Sequence, residues 1–231
     1  MMKHFARFAV AAVAATFWLL SATEQGARAQ AEWINAVRQG GYVIVFRHGA
    51  THQDQADTDP LNPKNVAQQR QLNEAGRAKA KEIGEAFRKL RIPVGQVQSS
   101  VFNRAVETGT LMGLGEVTSS LDLAEGGLVV TPVENNRRAQ ALRKLAATVP
   151  PAGTNIVVVT HKPNILDAFG KDWFDVREGE ASVFQPGGGG YKLIVRVQCR
   201  RVEQARASGC ELIAISNSPG APDQAAALTT D

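Results

Sequence analysis

Two short runs constrain this chain more than any other feature. Tyr42 to Phe46 (YVIVF) and Asn155 to Thr160 (NIVVVT) are apolar through their middles and rich in β-branched residues. A strand with one face in water alternates apolar and polar residues. A strand that does not alternate is covered on both faces, as at the centre of a parallel sheet. Such strands need helices to cover them, and the rest of the sequence supplies these. Asn73 to Leu90 puts Ala75, Ala78, Ile83, Ala86, Phe87 and Leu90 close to one stripe, with Asn73 suited to the N-cap and Pro93 beyond the end. Val101 to Met112 and Glu134 to Val149 read as further helices, the second closed by Pro150-Pro151. Ala31 to Arg38 and Asn164 to Phe169 read as shorter ones. Val94 to Ser99 reads as a strand and Glu116 to Thr118 as a short one. Strand and helix thus alternate through the first two thirds, which predicts an α/β fold: a three-layer sandwich with a mostly parallel central sheet and helices on both faces.

The remainder is different. Ala181 to Gln185 and Tyr191 to Val197 alternate across Pro186 and four glycines, and read as a hairpin. The glycine run is not a phosphate loop, because a strand follows it and no Gly-Lys-Ser/Thr does. Glu211 to Ile215 reads as one more strand. Residues 217–231 are rich in Pro, Ala, Gly and Asp and are expected to be a frayed tail. Between Gly49 and Arg70 lies a long polar loop, a type that is usually functional or disordered.

The N-terminus is expected not to be part of the fold. Lys3 and Arg7 precede an apolar stretch from Phe8 to Leu20, and Ala27-Arg28-Ala29 follows. This is the pattern of a cleaved signal peptide over residues 1–29, with an apolar run too short and too rich in Ala to anchor the chain. The fold is then residues 30–216, and the location periplasmic or secreted. The formal charge of +4 falls to +2 once Lys3, Arg7, Arg28 and Glu24 are removed. The remaining Lys and Arg are scattered, which argues against nucleic acid as a partner and suits a small anionic substrate. Cys199 and Cys210 are the two cysteines. In an oxidising compartment they suit one disulfide, and their spacing suits neither a thiolate metal site nor a thioredoxin-like centre.

In α/β sheets, ligands bind beyond the carboxyl ends of the strands. Arg47 and His48 stand just past the first strand, and His161 follows NIVVVT directly. Arg104 falls in the first turn of the helix after the strand at 94–99. Two imidazoles and two guanidiniums are thus expected to converge. Guanidinium forks match phosphate oxygens and stay charged. A neutral imidazole can attack phosphorus and carry the phosphoryl group, while a second one stabilises the charge in transit. Gly49 would let the backbone crowd close to the ligand, and the start of the 101–112 helix would add amide donors. Metal binding by His48 and His52, four residues apart, is disfavoured by Gly49, by the loop composition and by Arg47 alongside. No metal and no cofactor are expected, and His52 reads as a loop residue.

These residues also resemble a known family. Arg47-His48-Gly49-Ala50-Thr51 resembles the "RHG-x-T" signature of the histidine phosphatase superfamily, the phosphoglycerate mutase-like proteins. "LNEAGRAKAKEIG" (72–84) is similar to the family's first helix. "SSVFNRAVETG" (99–109) is similar to its "S-x-x-x-R-A-x-x-T" segment, and "VVVTHKPNI" (157–165) to the strand carrying its second histidine. The resemblance spans about residues 41 to 197. It implies that His48 is the phosphorylated nucleophile and that Arg47, Arg104, His161 and Thr51 bind the phosphoryl group. Leu123-Ala124-Glu125 resembles the family's acid segment, so Glu125 is the implied proton donor, with Asp122 the near rival and Glu107 less well placed. Gln53 and Asp54 stand where the mutases carry Trp-Asn, and Lys162 where Gly often follows the second histidine. With the expected signal peptide, the resemblance therefore implies an exported phosphatase of small phosphomonoesters. The other readings are a phosphatase of cell-envelope phosphates such as lipopolysaccharide sugar phosphates, a mutase-like phosphotransferase, and a non-catalytic phosphate-binding module. The loops at 50–71 and 113–133 are expected to wall the substrate pocket.

Overall fold

Seven strands form one sheet in the order β3-β2-β4-β1-β5-β6-β7. The computed structural model describes residues 30–126, 130–204 and 207–216; the expected signal peptide and tail lie outside them. Residues 30–38 are helical (α1), and the unit that holds the sheet begins at Val37. Its elements follow in order: β1 (Val43–Arg47), α2 (Glu74–Leu90), β2 (Val94–Ser100), α3 (Asn103–Met112), β3 (Val117–Ser120), α4 (Pro132–Ala146), β4 (Asn155–Thr160), α5 (Lys162–Phe169), β5 (Ala181–Gly187), β6 (Gly190–Gln204) and β7 (Ala207–Ser216).

The two apolar runs are neighbours at the centre: β1 and β4 pair in parallel from Val43 opposite Ile156 to Arg47 opposite Thr160. β2 pairs in parallel with β4 and with β3. Both central strands are covered on both faces, as their sequence requires. Val43, Val45, Ile156 and Val158 pack with Leu142 and Ala146 of α4 and with Ile165 and Phe169 of α5. The alternate residues face the other way, where Phe46 meets Phe87 of α2 with ring centroids 6.0 Å apart. A salt bridge of 2.7 Å from Arg77 to Glu107 ties α2 to α3.

The sheet is mixed. β5 runs antiparallel to β1, β6 to β5 and β7 to β6, so five of the seven strands run one way and two the other. β6 continues to Gln204, well past the expected end at Val197. Its continuation through Gln198, Cys199, Arg200 and Arg201 pairs with β7, and of these four only Cys199 is buried. Cys199 and Cys210 are joined in this ribbon by a disulfide, with Cα atoms 5.4 Å apart.

Asn73 caps α2, accepting from the Gly76 amide at 2.9 Å. The same turn explains two glycines. A Cβ on Gly76 would stand 2.1 Å from the Ala50 carbonyl oxygen, and one on Gly49 would stand 2.9 Å from the Gly76 oxygen. Gly49 thus lets the segment leaving β1 press against α2. This packing role stands beside its expected use, an approach of backbone to ligand.

Candidate active site

The parallel register sets Arg47 opposite Thr160, so the next residues, His48 and His161, leave the sheet side by side. The His48 amide donates to the Thr160 carbonyl at 2.9 Å. Both imidazoles are buried, and their ring centroids lie 5.1 Å apart. His48 Nδ1 is 2.8 Å from the Gly49 carbonyl oxygen. A carbonyl only accepts, so Nδ1 carries the proton and Nε2 is left with a bare lone pair. Burial, then the neighbouring His161, hold the His48 pKa well below its ordinary value. His48 is therefore neutral at neutral pH. His161 is depressed likewise, by burial first and then by Arg104, Arg70 and Arg47. Its Nε2 lies 2.8 Å from Ser100 Oγ. That hydroxyl already accepts from the Phe102 amide, so its own proton is free for His161 Nε2. This arrangement keeps the other proton on Nδ1, which faces Glu125 Oε1 at 3.4 Å.

The two arginines are held in the same manner. Arg47 gives Nη1 to the Val176 carbonyl at 2.8 Å and Nη2 to Glu178 at 3.3 Å. Arg104, whose side chain is 0% exposed, gives Nη1 and Nη2 to the two oxygens of Asp57 at 2.9 and 3.0 Å. In each case the Nη end is taken and the Nε atom is buried without a partner among the described residues. Phe102 lies against Arg104, with the guanidinium carbon 4.7 Å from the ring centroid. A second carboxylate, Glu125, bonds Arg104 Nη2. Glu125 Oε1 thus touches two of the donors expected to hold a phosphoryl oxygen.

Five of the residues singled out from sequence are therefore together: Arg47, His48, Arg104, Glu125 and His161. Thr51 is fully buried, bridged to Leu72, and its hydroxyl has no partner among the described residues. Asp122, the rival acid, pairs with Arg137 at 2.7 Å on the surface, and Glu107 is committed to Arg77. His52 stays in the loop, its amide on the Gln71 carbonyl. Two of the amides at the start of α3, expected to serve a ligand, are taken within the protein: Phe102 N donates to Ser100 and Asn103 N to Gln69 Oε1.

Sequence reasoning missed Asp57, Glu178 and Arg70, and gave Ser100 no role. Asp57 is one of three aspartates in a polar loop, and nothing local marks it. Arg70 follows that loop; its amide donates to Asp57 Oδ1 at 2.9 Å, and its charge helps depress His161. The run Arg70-Gln71-Leu72, leading straight into the Asn73 cap, was the one available signal that this arginine is fixed in place.

No curated protein sequence matches the chain. Among solved structures, the protein histidine phosphatase SixA complexed with tungstate is 18% identical, with a TM-score of 0.47, covering 67% of this chain and 95% of its own. A phosphoserine phosphatase mutant from Entamoeba histolytica in complex with phosphoserine is 16% identical, with a TM-score of 0.45 and coverages of 67% and 95%. The mycobacterial glucosyl-3-phosphoglycerate phosphatase with VO3 is 18% identical, with a TM-score of 0.46 and coverages of 67% and 97%. Over residues 43–129, the stretch that holds Arg47, His48, Arg104 and Glu125, the chain matches the model of the histidine phosphatase superfamily, branch 1.

Proposed function

We propose that this chain is an exported phosphatase that hydrolyses phosphomonoesters through a phosphohistidine on His48, without a metal ion. The observation that carries the reading is the bare His48 Nε2 beside two arginines whose Nε edges are buried and unpartnered. A nucleophile needs a lone pair, and a phosphoryl group needs donors fixed before it arrives.

In the first step Nε2 forms a bond to phosphorus and the bond from phosphorus to the leaving oxygen breaks. Glu125, in its acid form, gives that oxygen a proton. Arg47, Arg104 and His161 hold the three remaining oxygens. In the second step water attacks phosphorus, the Glu125 carboxylate takes its proton, and the electrons of the P–N bond return to Nε2. Inorganic phosphate leaves and the enzyme is restored. Export rests on the charged, apolar and Ala-x-Ala pattern of residues 1–29.

Rapid quench with labelled substrate tests the chemistry. The expected result is an acid-labile, base-stable phosphate on the parent protein, none on His48→Ala, and a smaller amount on His161→Ala. Label retained by His48→Ala, or turnover abolished by EDTA and restored by a divalent ion, overturns the reading.

A further inference from the structure

A cleft opens beside Glu125 where the two expected loops meet. Pro60, Leu61 and Pro63 line it from the loop after β1, and Leu121 and Val130 from the loop after β3; Phe102 completes it. Phe102 is also the ring that packs on Arg104 and stands edge-on to His161 at 5.6 Å. The cleft therefore shares Glu125 and Phe102 with the phosphoryl site. If Glu125 protonates the leaving oxygen, the group attached to that oxygen lies at the mouth of this cleft.

Most side chains of the lining are apolar. Its two ionic side chains are Glu125 and Arg138. Glu125 is bonded to Arg104. Arg138 gives Nε to Glu134 at 2.9 Å and Nη1 to the carbonyls of Ala124 and Glu125. Both are thus bonded within the protein. The other side chains are carbon, and Leu61 and Leu121 are exposed to 73% and 52%. Single exposed leucines are ordinary. Two that line the same concave site, beside two prolines, are a surface waiting to be covered. An apolar substituent would find carbon side chains to cover here.

We propose that this cleft is a leaving-group subsite for uncharged apolar groups, so that the preferred substrates are phosphomonoesters of small aryl or branched alkyl alcohols. The proposal rests on the phosphatase reading for its biological meaning, and its test is chosen to separate the two. Phenylphosphonate and methylphosphonate both present a phosphoryl-like head, and neither can be hydrolysed at a P–O ester bond. Their dissociation constants are measured by calorimetry on the mature protein, with hydrolysis of phenyl phosphate and glycerol phosphate assayed alongside. Phenylphosphonate is expected to bind about tenfold more tightly, a ratio that partial burial of one ring supplies. Leu61→Asp and Leu121→Asp, both at exposed positions, are expected to bring that ratio towards one, with thermal unfolding as the control on folding. A ratio near one in the parent protein, or one that neither substitution changes in folded protein, overturns the subsite. Binding with the expected ratio but no hydrolysis of either ester supports the subsite and sinks the phosphatase reading. Failure of both phosphonates to bind overturns the two together.

Discussion

At the scale of the residue, the site works through which protons are already placed. Gly49 O fixes the His48 proton on Nδ1, and burial with His161 keeps the ring neutral. In 15N spectra of the imidazoles, His48 is expected to show a protonated Nδ1 and a bare Nε2 at pH 7, and to stay so as pH falls through 6.5. The same depression gives a stability effect whose sign is fixed. Below about pH 6.5 the unfolded chain binds protons that buried His48 and His161 refuse. Their contribution is fully present above that pH and is lost as pH falls towards the depressed folded-state values, at up to about 1.4 kcal/mol per pH unit for each ring. A His48 ring that protonates near 6.5 in the folded protein, or carries its proton on Nε2, removes the nucleophile proposed here. The identities of these residues were legible in the sequence because each stands at a strand end. Their tautomers were not, since those depend on Gly49 O and on a serine 61 residues from His161.

At the scale of the element, helices and central strands could be read because burial leaves a period in the sequence, and loops could not because their order comes from distant partners. Asp57 meets Arg104 across 47 residues of chain. Gln69 and Gln71 pin the same loop to Asn103 at the head of α3. On the opposite side, the Glu178 and Val176 segment that holds Arg47 is itself fixed through Glu180, which is buried and bonded to Arg196 of β6 at 2.7 Å. Each loop therefore braces one arginine by its Nη end and leaves its Nε without a partner among the described residues. This has a consequence with a definite sign. If Asp57 is a brace, Asp57→Ala lets Arg104 swing and weakens inorganic phosphate as a competitive inhibitor, by roughly tenfold for a lost charged pair of about 1.5 kcal/mol. Asp57→Glu recovers part of the loss. Were Asp57 instead occupying the place of the phosphate, its removal would tighten inhibition, and a fall in the inhibition constant would refute the brace.

At the scale of the whole molecule, the parallel half of the sheet carries the chemistry and the antiparallel half carries a staple. The disulfide from Cys199 to Cys210 closes a loop with a sequence separation of 11 on the β6–β7 ribbon. Helix α2 holds the same ribbon, through Lys79 Nζ on the Cys199 carbonyl at 2.6 Å and Glu82 on Arg201 at 2.9 Å. The ribbon is thus fixed to the helix that presses against the segment after His48, yet neither cysteine contacts the site. Stability and chemistry should therefore separate. Closing a loop of this size is worth about 3 kcal/mol in the chain-entropy model. At about 2–4 °C per kcal/mol for a chain of this length, Cys199→Ser with Cys210→Ser is expected to lower the midpoint of thermal unfolding by roughly 10 °C, while kcat/KM at 25 °C stays within about twofold. Protein recovered from an oxidising compartment should show no free thiol when denatured without reductant. Two titratable thiols would exclude the staple, and a large loss of activity in the folded double variant would show that the ribbon reaches the site after all.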